Sequence, residues 1–241
     1  MRCHLSWHLA LFELARGNSE RARAIYLDSI RPSVALSAPM LSLADAASFL
    51  WRWKVYGIVP EMDHEWLEVV GHARRHFPRA SLAFADLHAG FAEAATQDVE
   101  GVRSRVIGLY QLADEDRLPP GRMAPALCEG AAALARGDNA EAARVLEAVL
   151  PELPRIGGSH AQREVFEDSL VLAYLRSGQP AKAADCYARG FTGGRPIATT
   201  RGWPSATETS VTAYTMGPTP GTLEWPRRYA CKYGPRFGRP C

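Results

Sequence analysis

Cysteine is scarce in this sequence and is not arranged to bind anything. Cys3, Cys128, Cys186, Cys231 and Cys241 are odd in number and far apart, with no Cys-x-x-Cys pair. That argues against a disulfide framework or a structural zinc site and fits a reducing compartment. Long apolar runs are missing as well, since none approaches the roughly 18 residues of a membrane-spanning helix. Met1-Arg2-Cys3-His4 leads into mixed polar and apolar residues up to Glu13, without the apolar stretch of a secretory signal. Sustained period-two alternation is absent, so no strands are expected. Gly157-Gly158 lacks the Lys and Ser/Thr of a phosphate-binding loop, and no nucleophile elbow occurs. What remains is an ordinary soluble balance, 47% hydrophobic and 22% charged over 241 residues, enough for one or two domains. A cytoplasmic protein without a membrane partner is expected.

The small net charge of +2 hides two unlike segments. Residues 190–241 carry Arg195, Arg201, Arg227, Arg228, Lys232, Arg236 and Arg239 against Glu208 and Glu224, which makes that segment +5 and leaves −3 for the rest. Glycine and proline supply 15 of its 52 residues, against 22 of the preceding 189. So little of it is Leu, Ile, Val or Phe that burial cannot offset the entropy of ordering it. The expectation is a disordered basic Gly/Pro-rich tail. Its Arg/Pro/Gly/Trp/Cys mixture and its abrupt onset after Arg189 read as an out-of-frame translation of GC-rich DNA. Its basic residues are scattered rather than clustered, so nucleic-acid binding is not expected.

The first 189 residues repeat. Leu-Ala-Arg-Gly stands at 14–17 and again at 134–137, three periods of 40 apart. Steps of 40 from Gly17 land on Gly57, Gln97 and Gly137, and one further residue reaches Gly178. Each anchor separates two helix-like apolar segments. Seven positions before it stand Ala10, Leu50, Gly90, Gly130 and Val171; five after it, Ala22, Met62, Val102, Ala142 and Ala183. Nine after it stand Tyr26, Trp66, Val106, Leu146 and Tyr187. Mostly small residues on both helices and a mostly bulky one beyond follow tetratricopeptide logic. Glycine at the anchor supplies a left-handed helix cap. Asp63 reads as the cap of a helix running to Phe77 and ended by Pro78. Pro119-Pro120-Gly121 and Pro151 to Gly158 separate the later units.

Three segments resemble the tetratricopeptide-repeat protein 38 family: His4-Leu-Ser-Trp-His-Leu-Ala-Leu-Phe12, Leu43-Ala-Asp-Ala-Ala-Ser-Phe-Leu-Trp-Arg52 and Phe84-Ala-Asp-Leu-His-Ala89. The resemblance covers about residues 3–189 and implies a cytoplasmic α-solenoid with no established chemistry to carry over. It also implies further repeats upstream and no counterpart of the tail, so both ends read as those of a fragment. Uncapped ends would expose apolar surface and favour self-association.

Candidate functional residues come from the lattice. Nine before the anchor stand His8, Ser48, His88, Cys128 and Ser169, a polar column on the first helix of each unit. First helices line the concave face of such solenoids. The expected groove therefore comprises Trp7, His8, Leu11, Asp45, Trp51, Arg52, Asp86, His88 and Phe91. Packing between helices is the commoner fate of such aromatic stripes. His4 and His8 have zinc-ligand spacing, but no third ligand is identifiable, so no metal is expected. His72 and His76 share that spacing beside Arg74 and Arg75, where cations simply suit a helix C-terminus. Asp86 and His88 are about 200° apart on a helix and cannot form a dyad. Cys128, among alanines, reads as a small buried residue rather than a nucleophile. The expectation is an all-α tetratricopeptide-like α-solenoid of about five helix-turn-helix units over 1–189. It is read as a non-enzymatic scaffold offering a groove to a protein or peptide, with no cofactor. The alternative is a small-molecule or enzymatic site on His8, His88, Asp45 and Asp86.

Overall fold

The computed structural model describes residues 2–189, and the expected tail at 190–241, with its disorder and out-of-frame origin, lies outside the described residues. Within them the chain is all-α, with ten α-helices and no strand. These are α1 (Arg2–Ala15), α2 (Ser19–Ile25), α3 (Pro39–Val55), α4 (Asp63–His76) and α5 (Ala83–Ala95), then α6 (Val99–Asp114), α7 (Met123–Ala135), α8 (Asn139–Val149), α9 (His160–Arg176) and α10 (Pro180–Arg189). Two irregular stretches were not expected. α2 runs on through a π segment, Tyr26–Ile30, and a 3-10 segment, Arg31–Ala35. The proline-rich break after α8 is a 3-10 segment, Leu150–Ile156, that buries Leu150, Leu153 and Ile156.

The 40-residue anchors are the turns. Gly17, Gly57, Gln97, Gly137 and Gly178 all have positive φ, between 58° and 81°. Each makes the same pair of backbone bonds. The anchor N–H reaches the carbonyl three residues back, and the next N–H reaches five back: Gly137 to Leu134 at 3.1 Å and Asp138 to Ala133 at 2.9 Å. This is the Schellman arrangement, which satisfies carbonyls left open at a helix end. The following residue then starts the second helix. Asp98 and Asp138 accept from the N–H of Gly101 (3.0 Å) and Glu141 (3.3 Å). In the second unit Ile58 stands at that place, cannot cap, and α4 begins only at Asp63. Asp63 is thus the first helical residue and not the cap; with Glu65 it sets negative charge at the positive end of the helix dipole.

Packing follows the columns. Ala10, Leu50, Val171, Ala22, Met62, Ala142, Tyr26, Trp66 and Leu146 are all buried. Alanine-rich α5 and α7 approach so closely that a Cβ on Gly90 would lie 2.9 Å from the Cys128 sulfur. α1, α3, α5 and α7 each touch the next in a row, and α4, α6 and α8 each nest between two of the odd-numbered helices.

α9 departs from the row. It packs mainly on α8, α10 and α3 and only slightly on α7, where a regular fifth unit would stack on α7. The connector explains the turn back: Gly157 and Gly158 have φ of 78° and 74°, and the Phe84 ring occupies the place of a Gly158 Cβ. Val165, Phe166, Leu170, Val171, Leu172 and Tyr174 are buried around α9, as suits a helix covered on several sides.

Two glycines test this account. Gly137→Ala meets no neighbour but must hold a left-handed φ of 81°, and is expected to cost about 1 kcal/mol. Gly130→Ala would place a Cβ 2.7 Å from Leu146, and is expected to cost about 1–3 kcal/mol through overpacking. Denaturant unfolding of the two variants measures both.

Candidate functional site

Most of the groove residues named from the lattice are buried, and their polar atoms hold helices to one another. The Trp7 indole donates to Ser48 Oγ at 3.0 Å, tying α1 to α3. The Trp51 indole donates to Ser169 Oγ at 2.9 Å, tying α3 to α9. The two serines of the polar column are thus acceptors for indole N–H groups, which must find a partner when buried. Trp51 also stacks on Phe91 at 4.7 Å, and Phe91 meets Phe166 of α9 at 5.0 Å. The face expected to be an open groove is largely occupied by α9.

Arg52 lies at that contact, almost wholly buried. Its Nη2 donates to the Ala161 carbonyl at 2.6 Å and its Nη1 to the Ser48 carbonyl at 3.3 Å; its Nε lies 3.5 Å from Asp168 Oδ2. Tyr56 donates to the same Asp168 oxygen at 2.9 Å. Asp168 was missed in the sequence, yet a signal existed. Ten before the anchor the other units have Trp7, Ala47, Leu87 and Leu127, so a carboxylate in that apolar column implies a buried cation opposite.

Asp86 belongs to a second network, between α5 and α6. One of its oxygens accepts from the backbone N–H of Ser81 and Leu82, both at 2.8 Å, and so holds the loop that leads into α5; the other pairs with Arg105. Arg105 also forks onto Glu93 at 2.7–3.1 Å and donates to the Phe77 carbonyl at 3.1 Å. Burial opposes its charge, but Glu93 and Asp86 more than offset this and hold its pKa up. Removing the cation would strand two buried carboxylates. Arg105→Met is therefore expected to destabilise by about 3–5 kcal/mol, read as a drop in the denaturant midpoint.

His88 hydrogen-bonds outside both networks, though the Arg52 charge adds to the effect of burial on it. Its Nδ1 donates to the Phe84 carbonyl at 2.7 Å, and its buried Nε2 has no partner. Burial lowers its pKa to about 4 from an ordinary 6.5. Below pH 6.5 the unfolded chain takes up a proton that the folded chain refuses until about pH 4. Stability from this group is therefore complete above pH 6.5 and lost as pH falls through that window, by roughly 3 kcal/mol at its acid end. His88→Leu is expected to flatten the profile between pH 6.5 and 4; equal acid sensitivity in both proteins would refute this.

Asp45 holds a third place. Its oxygen lies 3.0 Å from His4 Nδ1. Burial pushes its carboxyl up against the pull of His4. His8 is exposed, its pKa lowered by partial burial and by His4. Hence Asp86 and His88 have separate sets of partners while Asp45 and His8 share His4, and the four are not assembled into one site. Burial raises the Cys128 thiol, which makes it a poor nucleophile.

What stays open at the groove is a cavity of about 160 Å³ between α1, α3 and the start of α9. Leu11, Phe12, Leu14 and Ala161 give it apolar walls; Arg52 and Glu164 lie deep in it and His8 at its rim. A wider cleft of about 570 Å³ follows α6, but four of its five charged residues pair among themselves, Arg117 with Glu115 at 2.7 Å and Arg103 with Glu100 at 3.8 Å. No group of three or more His, Cys, Asp or Glu is placed to hold a metal among the described residues. No helix among them is long and apolar enough to cross a membrane. No protein-family model and no solved structure matches the chain.

Proposed function

We propose that this chain is a non-enzymatic scaffold of tetratricopeptide type that binds a protein or peptide partner at the cavity between α1, α3 and α9. Five Schellman turns at the sequence period, with even-numbered helices nested between odd ones, support the repeat assignment. The carrying observation is the division of labour along the row. Ser48, Trp51, Arg52, Asp86 and Asp168 hold helix to helix, while an apolar-walled cavity beside them remains unfilled. A concave apolar space with a few polar groups is the usual form of a binding pocket, and this one suits a single aliphatic or aromatic side chain of a partner. A reducing, cytoplasmic setting fits Cys3, Cys128 and Cys186, which are buried and held as thiols rather than disulfides.

Filling the cavity tests the reading. Peptides selected on the full chain are expected to carry one apolar anchor and to lose binding at least tenfold to Ala161→Trp. Unchanged affinity in that variant, its thermal midpoint matching the parent, would refute the site.

A further inference from the structure

The exposed end of α1 carries two imidazoles whose arrangement differs from that of every other histidine among the described residues. His4 and His8 are one helical turn apart on one face, with ring centroids 4.7 Å apart. The His4 ring is not free to turn. Its Nδ1 is 3.0 Å from an oxygen of Asp45, a carboxylate only 1% exposed on the neighbouring α3, and Trp7 stacks on it at 5.2 Å and 13°. The same indole meets His8 edge-on at 4.8 Å. A carboxylate accepting from Nδ1 selects the tautomer with the proton on that atom. The lone pair is then on Nε2, on the far side of the ring, and the His4 side chain is 37% exposed.

We infer that His4 and His8 together bind a divalent late transition cation, such as Cu²⁺ or Zn²⁺, through their imidazoles, with Asp45 as the positioning residue behind His4 and water completing the shell. A carboxylate behind a ligating histidine fixes ring orientation and raises ligand basicity, and losing it commonly weakens metal affinity 10–100-fold. Imidazole suits copper, nickel and zinc, with copper bound most tightly at a given site. Two ligands one turn apart, from a preformed helix, cost little to organise. His72 and His76 are the internal contrast. Their rings are as close, 4.6 Å, but in His72 it is the outer Nε2 that is engaged, at 2.9 Å with the Pro39 carbonyl, which leaves only Nδ1, the nitrogen nearer its own backbone.

Titrating the full chain with Zn²⁺ by calorimetry, and with Cu²⁺ by electron paramagnetic resonance, tests this. One saturable site is expected, with hyperfine structure from two nitrogens. His8→Ala, at an exposed position, should abolish it without moving the thermal midpoint, and His76→Ala should leave it unchanged. Asp45→Asn should weaken it tenfold or more; if that variant fails to fold, His4→Ala must abolish binding in its place. No saturable binding, or affinity unaltered by His8→Ala, would overturn the site. An Asp45→Asn affinity equal to the parent's would overturn the positioning role.

Discussion

The ion contact between Arg52 of α3 and Asp168 of α9 is the constraint on which the arrangement of the chain depends. A guanidinium buried this deeply needs its donors met, and here they are met by one carboxylate and by carbonyls from two elements. Breaking such a contact from one side leaves a charge stranded in a medium that solvates it poorly. The contact therefore specifies where α9 lies: slippage by one residue would carry Asp168 about 100° around the helix, away from Arg52 and Tyr56. Trp51 and Ser169, adjacent in sequence to those partners, lock the same register.

This changes how stability is distributed. In an open array each unit touches only its neighbours, and unfolding can begin at an end and spread. Here the ninth helix bonds the third, and its Phe166 joins a ring cluster with Phe91 and Trp51. Loss of α9 would expose those rings and strip Arg52 of Asp168 and of the Ala161 carbonyl, so an early helix and a late one are coupled as they would be in a closed globular core.

The turns were the most legible part of the sequence. A left-handed cap demands glycine or a tolerated substitute, and that demand writes itself as a spacing; even Gln97 occupies the position with φ of 58°. The columns were legible for a similar reason, since close backbone approach restricts residue size. The place of α9 was not legible, because Asp168 and Ser169 look like any polar pair until their partners more than a hundred positions away are known. The residues read as a groove lie on α1, α3 and α5. Whether such a face meets solvent, a partner or another part of the same chain is decided by the route of the connector. The Arg105 cluster was missed outright: Glu93 and Arg105 fall twelve apart across a turn, a spacing that resembles ordinary surface charge.

The sequence distance between Tyr56 and Asp168 is 112 residues. At ribosomal speeds of about 5–20 residues per second, α3 would wait on the order of ten seconds for the helix that covers it. During that interval Trp51 and Phe91 lack the cover of α9, and the nascent chain exposes the same aromatic surface that the finished protein conceals.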